Sequence, residues 1–191
     1  MHIKIIFTVF SLILGFLTFL PYFVEMFKGK ARPHIFSWIV WAITGGISFS
    51  ASLSKGGGGG ALISVLQSIL CLIIVAYAFF RGEKSITLLD KVSFIAAILL
   101  CVFYFFTRAA LPSAVVAVSI DLLGFVPTFR KSYLKPDEEP ALTYSFSSLA
   151  YLFSLGGIGV YNLVTMIAPI TLVLANAALV IFLTTRRKIL K

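Results

Sequence analysis

Apolar residues form seven long runs along the chain, and short stretches that hold the charged residues, glycines and prolines separate these runs. A helix that spans a membrane needs about 20 predominantly apolar residues, whereas a strand of a membrane β-barrel is an alternating segment of about 10 residues. The runs are of the first kind and predict an all-α integral membrane protein with seven transmembrane helices. These helices cover roughly residues 4–27, 34–53, 60–81, 87–107, 109–133, 141–158 and 161–185.

The breaks between the runs contain residues that end helices. The sequence KGGGGG at 55–60 follows the second run, and its glycines predict a short flexible turn. The sequence KPDEEP at 135–140 places a proline at each end of the break before the sixth run, and proline stops a helix. Connections this short leave no room for a soluble domain between the predicted helices.

Composition and charge agree with this pattern. Hydrophobic residues make up 60% of the chain and charged residues 12%, and the mean hydropathy is +1.05. Soluble domains carry about 25% charged residues. The net charge of +9 would suit a nucleic-acid-binding protein, but the cations lie between or after the apolar runs, where they orient a membrane protein instead.

The cations are distributed unevenly over the two sides of the predicted bundle. Of the 16 Lys and Arg residues, 13 follow runs one, three, five and seven, and only Lys4, Lys55 and Arg108 lie on the other side. Loops rich in Lys and Arg stay in the cytoplasm. We therefore expect a multi-pass protein of the cell (inner) membrane with its N-terminus outside and its C-terminus in the cytoplasm.

A proline-centred phrase occurs twice, as FLPYF at 19–23 and as FVPTF at 125–129, an offset of 106 residues. Each copy is followed by a basic segment and then by a second proline, Pro33 or Pro140. Helices one to three and five to seven thus read as two copies of a three-helix bundle. With helix four between them both copies point the same way, which is a parallel repeat of 3+1+3 form. The predicted units are a first bundle at 1–85, a linker helix at 86–108, and a second bundle with a short cytoplasmic tail at 109–191.

This layout resembles the SWEET, SemiSWEET and PQ-loop transporter superfamily, and its 3+1+3 order is similar to that of the PnuC vitamin transporters. The chain keeps the proline of the family's Pro-Gln motif but not the glutamine, because Pro21-Tyr22 and Pro127-Thr128 stand there. The stretch KARPHIFSWIVW at 30–41 resembles a motif of small uncharacterised bacterial membrane proteins. The resemblance implies a transporter for a small polar solute, such as a sugar or a similar metabolite, that works by alternating access.

Pro21 and Pro127 lie at equivalent places inside predicted helices one and five, and each frees a backbone carbonyl and permits a bend. In the family that the chain resembles, such prolines act as hinges, so Pro21 and Pro127 are the candidate hinges. The alternative is that they bend their helices without a role in motion.

Asp121 is the acid that lies deepest within a predicted helix. An acid at membrane depth costs about 2.5–3.5 kcal/mol on insertion scales, so it normally faces a cavity or a partner. We interpret Asp121 as a ligand for substrate hydroxyls or as a proton-coupling acid. The alternative is a structural acid that is hydrogen-bonded to Ser119, to a neighbouring helix or to the backbone.

Three further residues are candidates for substrate binding. The resemblance implies an asparagine near the middle of each third helix, which Asn176 supplies in the second copy, while the first copy offers Gln67. Trp38 and Trp41 share a helix face; we assign Trp41 to a substrate ring and Trp38 to the membrane interface. Interhelical hydrogen bonding is the alternative for Gln67 and Asn176.

Other residues suit other roles. His34 follows Pro33, and we expect it at headgroup level as a helix cap or a phosphate contact. A ligand-binding receptor or sorting protein of the KDEL-receptor type would need a buried cation, for which Lys91 is the candidate. A membrane scaffold without transport would use seams of small residues such as Gly45–Gly46 and Gly156–Gly159.

The sequence contains no Cys/His cluster with metal-ligand spacing, no phosphate-binding loop and no nucleophile elbow. We therefore expect neither an enzyme nor a metal or cofactor. The expected partners are the lipid bilayer and a small-molecule substrate, with a homo-oligomer as a further possibility and no nucleic acid.

Overall fold

The structure is a computed structural model that describes residues 2–107 and 109–190, and in these residues it contains seven α-helices. They are α1 (His2–Phe27), α2 (Ile35–Ser54), α3 (Leu62–Arg81), α4 (Leu88–Thr107), α5 (Ala110–Leu134), α6 (Ala141–Gly156) and α7 (Leu163–Ile189). Single turns of 3-10 helix occur at Gly59–Ala61 and Pro136–Glu138. No strand is formed in this part of the chain, so the predicted all-α class is confirmed.

Five of the helical segments are long and apolar enough to cross a membrane. They are His2–Phe27, Ile35–Ser54, Gly59–Arg81, Ala110–Leu134 and Leu163–Ile189. The helix α6 is shorter, at 16 residues, because it ends at the glycine pair 156–157, two residues before the predicted end. The structure is thus that of an all-helical protein with five candidate membrane-spanning helices among its seven helices.

The helices pair in a regular order. α1 packs along α6 and α2 along α5, while α2 also packs on α3 and α6 on α7. Smaller contacts join α1 to α3 and α5 to α7, and α4 packs mainly on α5. Most helices therefore have neighbours on two or three sides, and α4 lies at the edge of the bundle.

Burial is reversed relative to a soluble bundle, since many large apolar side chains face outward. Phe79, Phe80 and Phe106 are 70%, 76% and 82% exposed. Serines and threonines such as Ser37 and Thr44 are completely buried. A soluble protein of this size does not expose so much contiguous apolar surface, so the outer face is suited to lipid.

The end of the bundle near Lys4 is closed by backbone hydrogen bonds between two glycine-rich connections. Val160 N donates to Gly56 O at 2.8 Å, and Gly60 N donates to Gly157 O at 3.1 Å. A Cβ atom on Gly60 would lie 2.6 Å from the Ser154 carbonyl oxygen, and one on Gly159 would lie 2.4 Å from the Gly56 oxygen. The glycines at 56–60 are therefore needed for close packing rather than for a flexible turn, and we call this junction of 56–60 with 157–160 the glycine contact.

Candidate functional site

A cavity lies in the interior of the helix bundle, and all four predicted substrate-binding residues line it. Trp41 comes from α2, Gln67 from α3, Asp121 from α5 and Asn176 from α7. α1 and α6 complete the wall, and no described residue of α4 belongs to the lining. The structure therefore brings together side chains that lie up to 135 positions apart in the sequence.

The cavity is narrow in this conformation. About 50 Å³ of it is open to the centre of a water-sized sphere. A water molecule needs about 10–15 Å³ by this measure. The cavity as it stands therefore holds a few water molecules, and a larger solute requires the walls to separate.

Asp121 is 4% exposed, and its carboxylate is hydrogen-bonded to α2. Thr44 Oγ1 on α2 donates a hydrogen bond to Asp121 Oδ1. Trp41 Nε1 donates to the main-chain oxygen of Asp121 at 3.3 Å. Of the partners considered for a structural acid, Ser119 donates to the Val115 carbonyl instead and is exposed, whereas a neighbouring helix does supply a hydrogen bond, from Thr44. Within residues 2–107 and 109–190, no cation lies within ion-pair distance of Asp121.

Gln67 connects α3 to α6 through both ends of its amide. Tyr151 Oη donates to Gln67 Oε1 at 3.0 Å, and Gln67 Nε2 lies 3.4 Å from Ser147 Oγ as a donor. Asn176 differs, because its Nδ2 donates to the Leu172 carbonyl one turn earlier in its own helix, at 2.7 Å. Interhelical hydrogen bonding thus occurs for Gln67, whereas the described contacts of Asn176 are intrahelical.

Aromatic rings form one wall of the cavity. Trp41 lies 5.1 Å from Trp38 and 4.9 Å from Phe125, measured between ring centroids. Trp38 is only 4% exposed, and its Nε1 donates to the Tyr22 hydroxyl at 3.3 Å. The assignment of Trp38 to the membrane interface was therefore wrong, because both tryptophans line the cavity.

The candidate hinge prolines lie outside the cavity wall. Pro21 is half-buried inside α1 and Pro127 is buried inside α5, and both helices continue beyond them. A third in-helix proline, Pro169, is buried in α7. Each of these prolines lacks the backbone N–H that would bond one turn back. Their role as hinges stays a prediction.

The opposite end of the bundle, which we call the basic end, comprises the connections at 28–34, 82–87 and 135–140 and the last turn of α7. Here Lys131 is 2% exposed, and its Nζ lies 2.7 Å from Glu139 Oε1. Its ammonium group also donates to the Arg32 carbonyl. Tyr144, which lines the cavity, donates from its hydroxyl to Glu139 Oε2 at 2.6 Å. A chain of polar contacts thus runs from the cavity to the basic end.

Sequence reasoning missed this buried pair. Lys131 was counted among the loop cations that orient the protein, and 135–140 was read only as a helix break. Nothing in the spacing indicates that the connection folds back so that Glu139 meets Lys131. Lys91, the cation expected for a receptor, is exposed at the start of α4. The buried cation is Lys131, whose charge Glu139 neutralises.

A second ion-pair cluster at the basic end is centred on Asp90. Arg130 approaches Asp90 at 2.8 Å, and His34 Nε2 lies 3.5 Å from the same carboxylate. His34 is 1% exposed, and its side chain makes no hydrogen bond that caps α2, while its expected level in the membrane stays a prediction. Burial lowers the pKa of His34 from its ordinary value, Asp90 acts in the opposite direction, and Arg130 lowers it further. We infer a neutral imidazole at pH 7.

A neighbouring pair joins the connections at 82–87 and 135–140. Lys135 Nζ lies 3.0 Å from Glu83 Oε2, and the Ser85 backbone N–H donates to Glu83 Oε1 at 2.7 Å. Burial raises the pKa of Glu83, but the Ser85 N–H and Lys135 together outweigh it and bring the pKa down to about 2. The Glu83 carboxylate is therefore ionised wherever the protein works.

Comparisons of the chain with protein-family models, with curated proteins and with solved structures found no match. In the part of the chain that the structure describes, no three His, Cys, Asp or Glu side chains are grouped so that they could hold a metal ion.

Proposed function

We propose that this chain is a seven-span membrane transporter of 3+1+3 form that moves a small polar solute through the central cavity by alternating access. The observation that carries the proposal is the cavity itself, which is lined by polar and aromatic side chains from six helices. Its walls combine amide, carboxyl and hydroxyl groups with indole rings. Such a lining suits a solute that has hydroxyl groups and a ring, for example a sugar.

The pairing of helices supports a duplicated architecture. Exchanging α1 with α5, α2 with α6 and α3 with α7 converts the α1–α6 pair into the α5–α2 pair. The same exchange converts α2–α3 into α6–α7 and α1–α3 into α5–α7, and all of these pairs occur. A pseudo-twofold axis along the membrane normal gives this relation. In the proposal α4 is the linker helix, and the basic end faces the cytoplasm.

Contacts at both ends of the bundle support alternating access. The glycine contact joins two connections at one end, and the Lys131–Glu139–Tyr144 contacts join α5, the connection at 135–140 and α6 at the other. Because the cavity between them admits only a few water molecules, a solute can enter only if one end separates. We assign this conformation to the closed intermediate between an outward-open and an inward-open state.

Ligand-dependent thermal unfolding of the purified protein tests the proposal. Sugars, amino acids and vitamins would be screened at several pH values, and we expect one class to stabilise the protein. A ligand at 100 times its Kd contributes about 2.7 kcal/mol. The variant Trp41→Ala should lose this stabilisation, whereas Ser119→Ala, a change of an exposed residue outside the cavity, should keep it. The absence of stabilisation by every class would contradict the transport proposal.

Proton coupling through Asp121 is a variant of the same proposal. A buried carboxylate without a cationic partner is costly as an anion, so a site of this kind is suited to gaining and losing a proton. If coupling occurs, Asp121→Asn abolishes the pH dependence of ligand binding or transport, and Ser119→Ala does not. An unchanged pH dependence in Asp121→Asn would leave facilitated diffusion.

A further inference from the structure

A second pocket lies at the basic end, on the outer side of the bundle and apart from the central cavity. The end of α3 and the connections that follow α1 and α3 form its walls. About 280 Å³ of it is open to a water-sized sphere. Arg32, Arg81 and Lys84 line it together with Tyr77, and we call it the basic pocket.

No acid offsets these three cations. None of the residues that line the basic pocket is an Asp or a Glu. Among the described residues, Asp90 is paired with Arg130, Glu83 with Lys135 and Glu139 with Lys131. Glu25 of α1 forms no ion pair in that part of the chain, and it lines a different pocket. Arg32, Arg81 and Lys84 form no ion pair within that part of the chain. Three unneutralised cations around a concave space are suited to a phosphate group.

Exposed aromatic rings adjoin the basic pocket. Phe27 at the end of α1 is 72% exposed and packs against Tyr77 at 5.9 Å between ring centroids. Phe79 and Phe80, close to Arg81, are 70% and 76% exposed. The pocket therefore lies at the boundary between the apolar outer face of the helices and the charged connections. A free phosphate would use only the cations, whereas a phospholipid would also place its acyl chains against the phenylalanines.

At the end of α7, by contrast, the described arginines bind other groups of the protein. The Arg186 guanidinium lies 4.0 Å from the centre of the Tyr133 ring, and its Nε donates to the Tyr133 carbonyl at 3.0 Å. Arg187 donates to the carbonyls of Pro136 and Glu139. The unpaired cations Arg32, Arg81 and Lys84 are therefore a feature of the basic pocket and not of every helix end at this side of the bundle.

We propose that the basic pocket binds the headgroup phosphate of an anionic membrane phospholipid. Arg32, Arg81 and Lys84 hold the phosphate, and the acyl chains lie along Phe27, Phe79 and Phe80. Basic pockets at the cytoplasmic ends of membrane helices recognise anionic headgroups by this chemistry. The proposal needs only that the apolar helices lie in a membrane, so it is independent of what the central cavity carries.

Lipid binding to two variants of equal charge tests the proposal. The full-length protein, purified in a zwitterionic detergent, would be titrated with phosphatidylglycerol and with phosphatidylcholine, and bound lipid would be counted by native mass spectrometry. Arg32→Ala/Arg81→Ala removes two cations from the pocket. Lys91→Ala/Lys188→Ala removes two exposed cations at the same end but outside it. We expect the first variant to bind phosphatidylglycerol at least about tenfold more weakly than the wild type, and the second to stay within about threefold.

Three results would overturn the proposal. An equal loss of phosphatidylglycerol binding in both variants would mean that the lipid is attracted to the charged end in general. Equal binding of both lipids by the wild type would mean that the headgroup charge is not recognised. Displacement of phosphatidylglycerol by millimolar inorganic phosphate would identify a free phosphate as the ligand. Unfolding temperatures without lipid check that both variants fold, as expected for exposed side chains.

Discussion

Lys131 and Glu139 form an ion pair that is almost completely removed from water, with exposed fractions of 2% and 1%. Burying two charges costs several kcal/mol each unless the geometry and the remaining hydrogen bonds compensate. Here the Arg32 carbonyl accepts a hydrogen bond from the ammonium, and Tyr144 donates one to the carboxylate. The pair therefore has most of the partners that it needs.

Removing one member of this pair is predicted to be far more damaging than replacing both. Lys131→Met leaves the Glu139 carboxylate buried without a cation, and we expect the free energy of unfolding to fall by about 3–5 kcal/mol. Lys131→Met/Glu139→Gln removes both charges and should recover most of the loss. Denaturant unfolding in detergent measures both variants. A double variant as unstable as the single one would show that the pair is not coupled in this way.

Position 83 gives a second prediction at the residue scale. The pKa of Glu83 lies at about 2 in the folded protein, below its ordinary value of 4.5. A carboxyl group with a lowered pKa stabilises the fold at pH values above its ordinary pKa. This contribution to stability is lost as the pH falls from about 4.5 to about 2. Glu83→Gln should therefore lose less stability than the wild type across that window. Unfolding temperatures recorded from pH 5 to pH 2 test this, and parallel curves for the two proteins would contradict it.

At the scale of elements, the connections of the bundle are packed structures and not loose loops. In the glycine contact, Gly56 and Gly58 have φ of +82° and +56°, conformations that favour glycine. The neighbouring glycines allow the backbones of the two connections to meet. Residues with a side chain could not replace Gly60 or Gly159 in this position, because even a single Cβ atom there would overlap a carbonyl oxygen.

An alanine in the glycine contact is predicted to weaken that end of the bundle. In Gly159→Ala the new Cβ would lie 2.4 Å from the Gly56 oxygen, so the two connections must move apart. We expect a lower unfolding temperature and faster labelling of Cys71, a thiol that lines the cavity. Gly46→Ala is the control, since its Cβ meets nothing within 4 Å and alanine favours a helix. Unchanged labelling in Gly159→Ala would show that the glycine contact does not close the cavity.

The boundaries of the helices could be predicted from the sequence, whereas the burial of several side chains could not. Runs of apolar residues and their breaks place the helices to within a few residues of the observed ends. The burial of His34 and Trp38 could not be predicted from their distance to Pro33 along the chain. In the structure Asp90 lies against His34, and Tyr22 of α1 packs against Trp38. Such coverage by a distant segment leaves no local signal in the sequence.

At the scale of the whole molecule, the candidate site could be predicted better than its surroundings. Trp41, Gln67, Asp121 and Asn176 line one cavity because polar residues in apolar helices must turn away from lipid. The ion pairs at the basic end could not be anticipated, since cations in connections were expected to face water. Lys131 meets Glu139 instead of water because the connection at 135–140 folds back on α5. This folding depends on tertiary contacts and leaves no local pattern in the sequence.

The central claim is that the cavity opens alternately to the two sides of the membrane. Cys71 reports on it directly, because its thiol is 3% exposed and lines the cavity. A Cys101→Ala variant leaves Cys71 as the single thiol in the chain. In proteoliposomes of known orientation, a membrane-impermeant thiol reagent would be added to one side or enclosed on the other. Alternating access predicts slow labelling of Cys71 from each side, and a bound solute should slow both reactions. Labelling from one side only, or from neither side over hours, would contradict the claim.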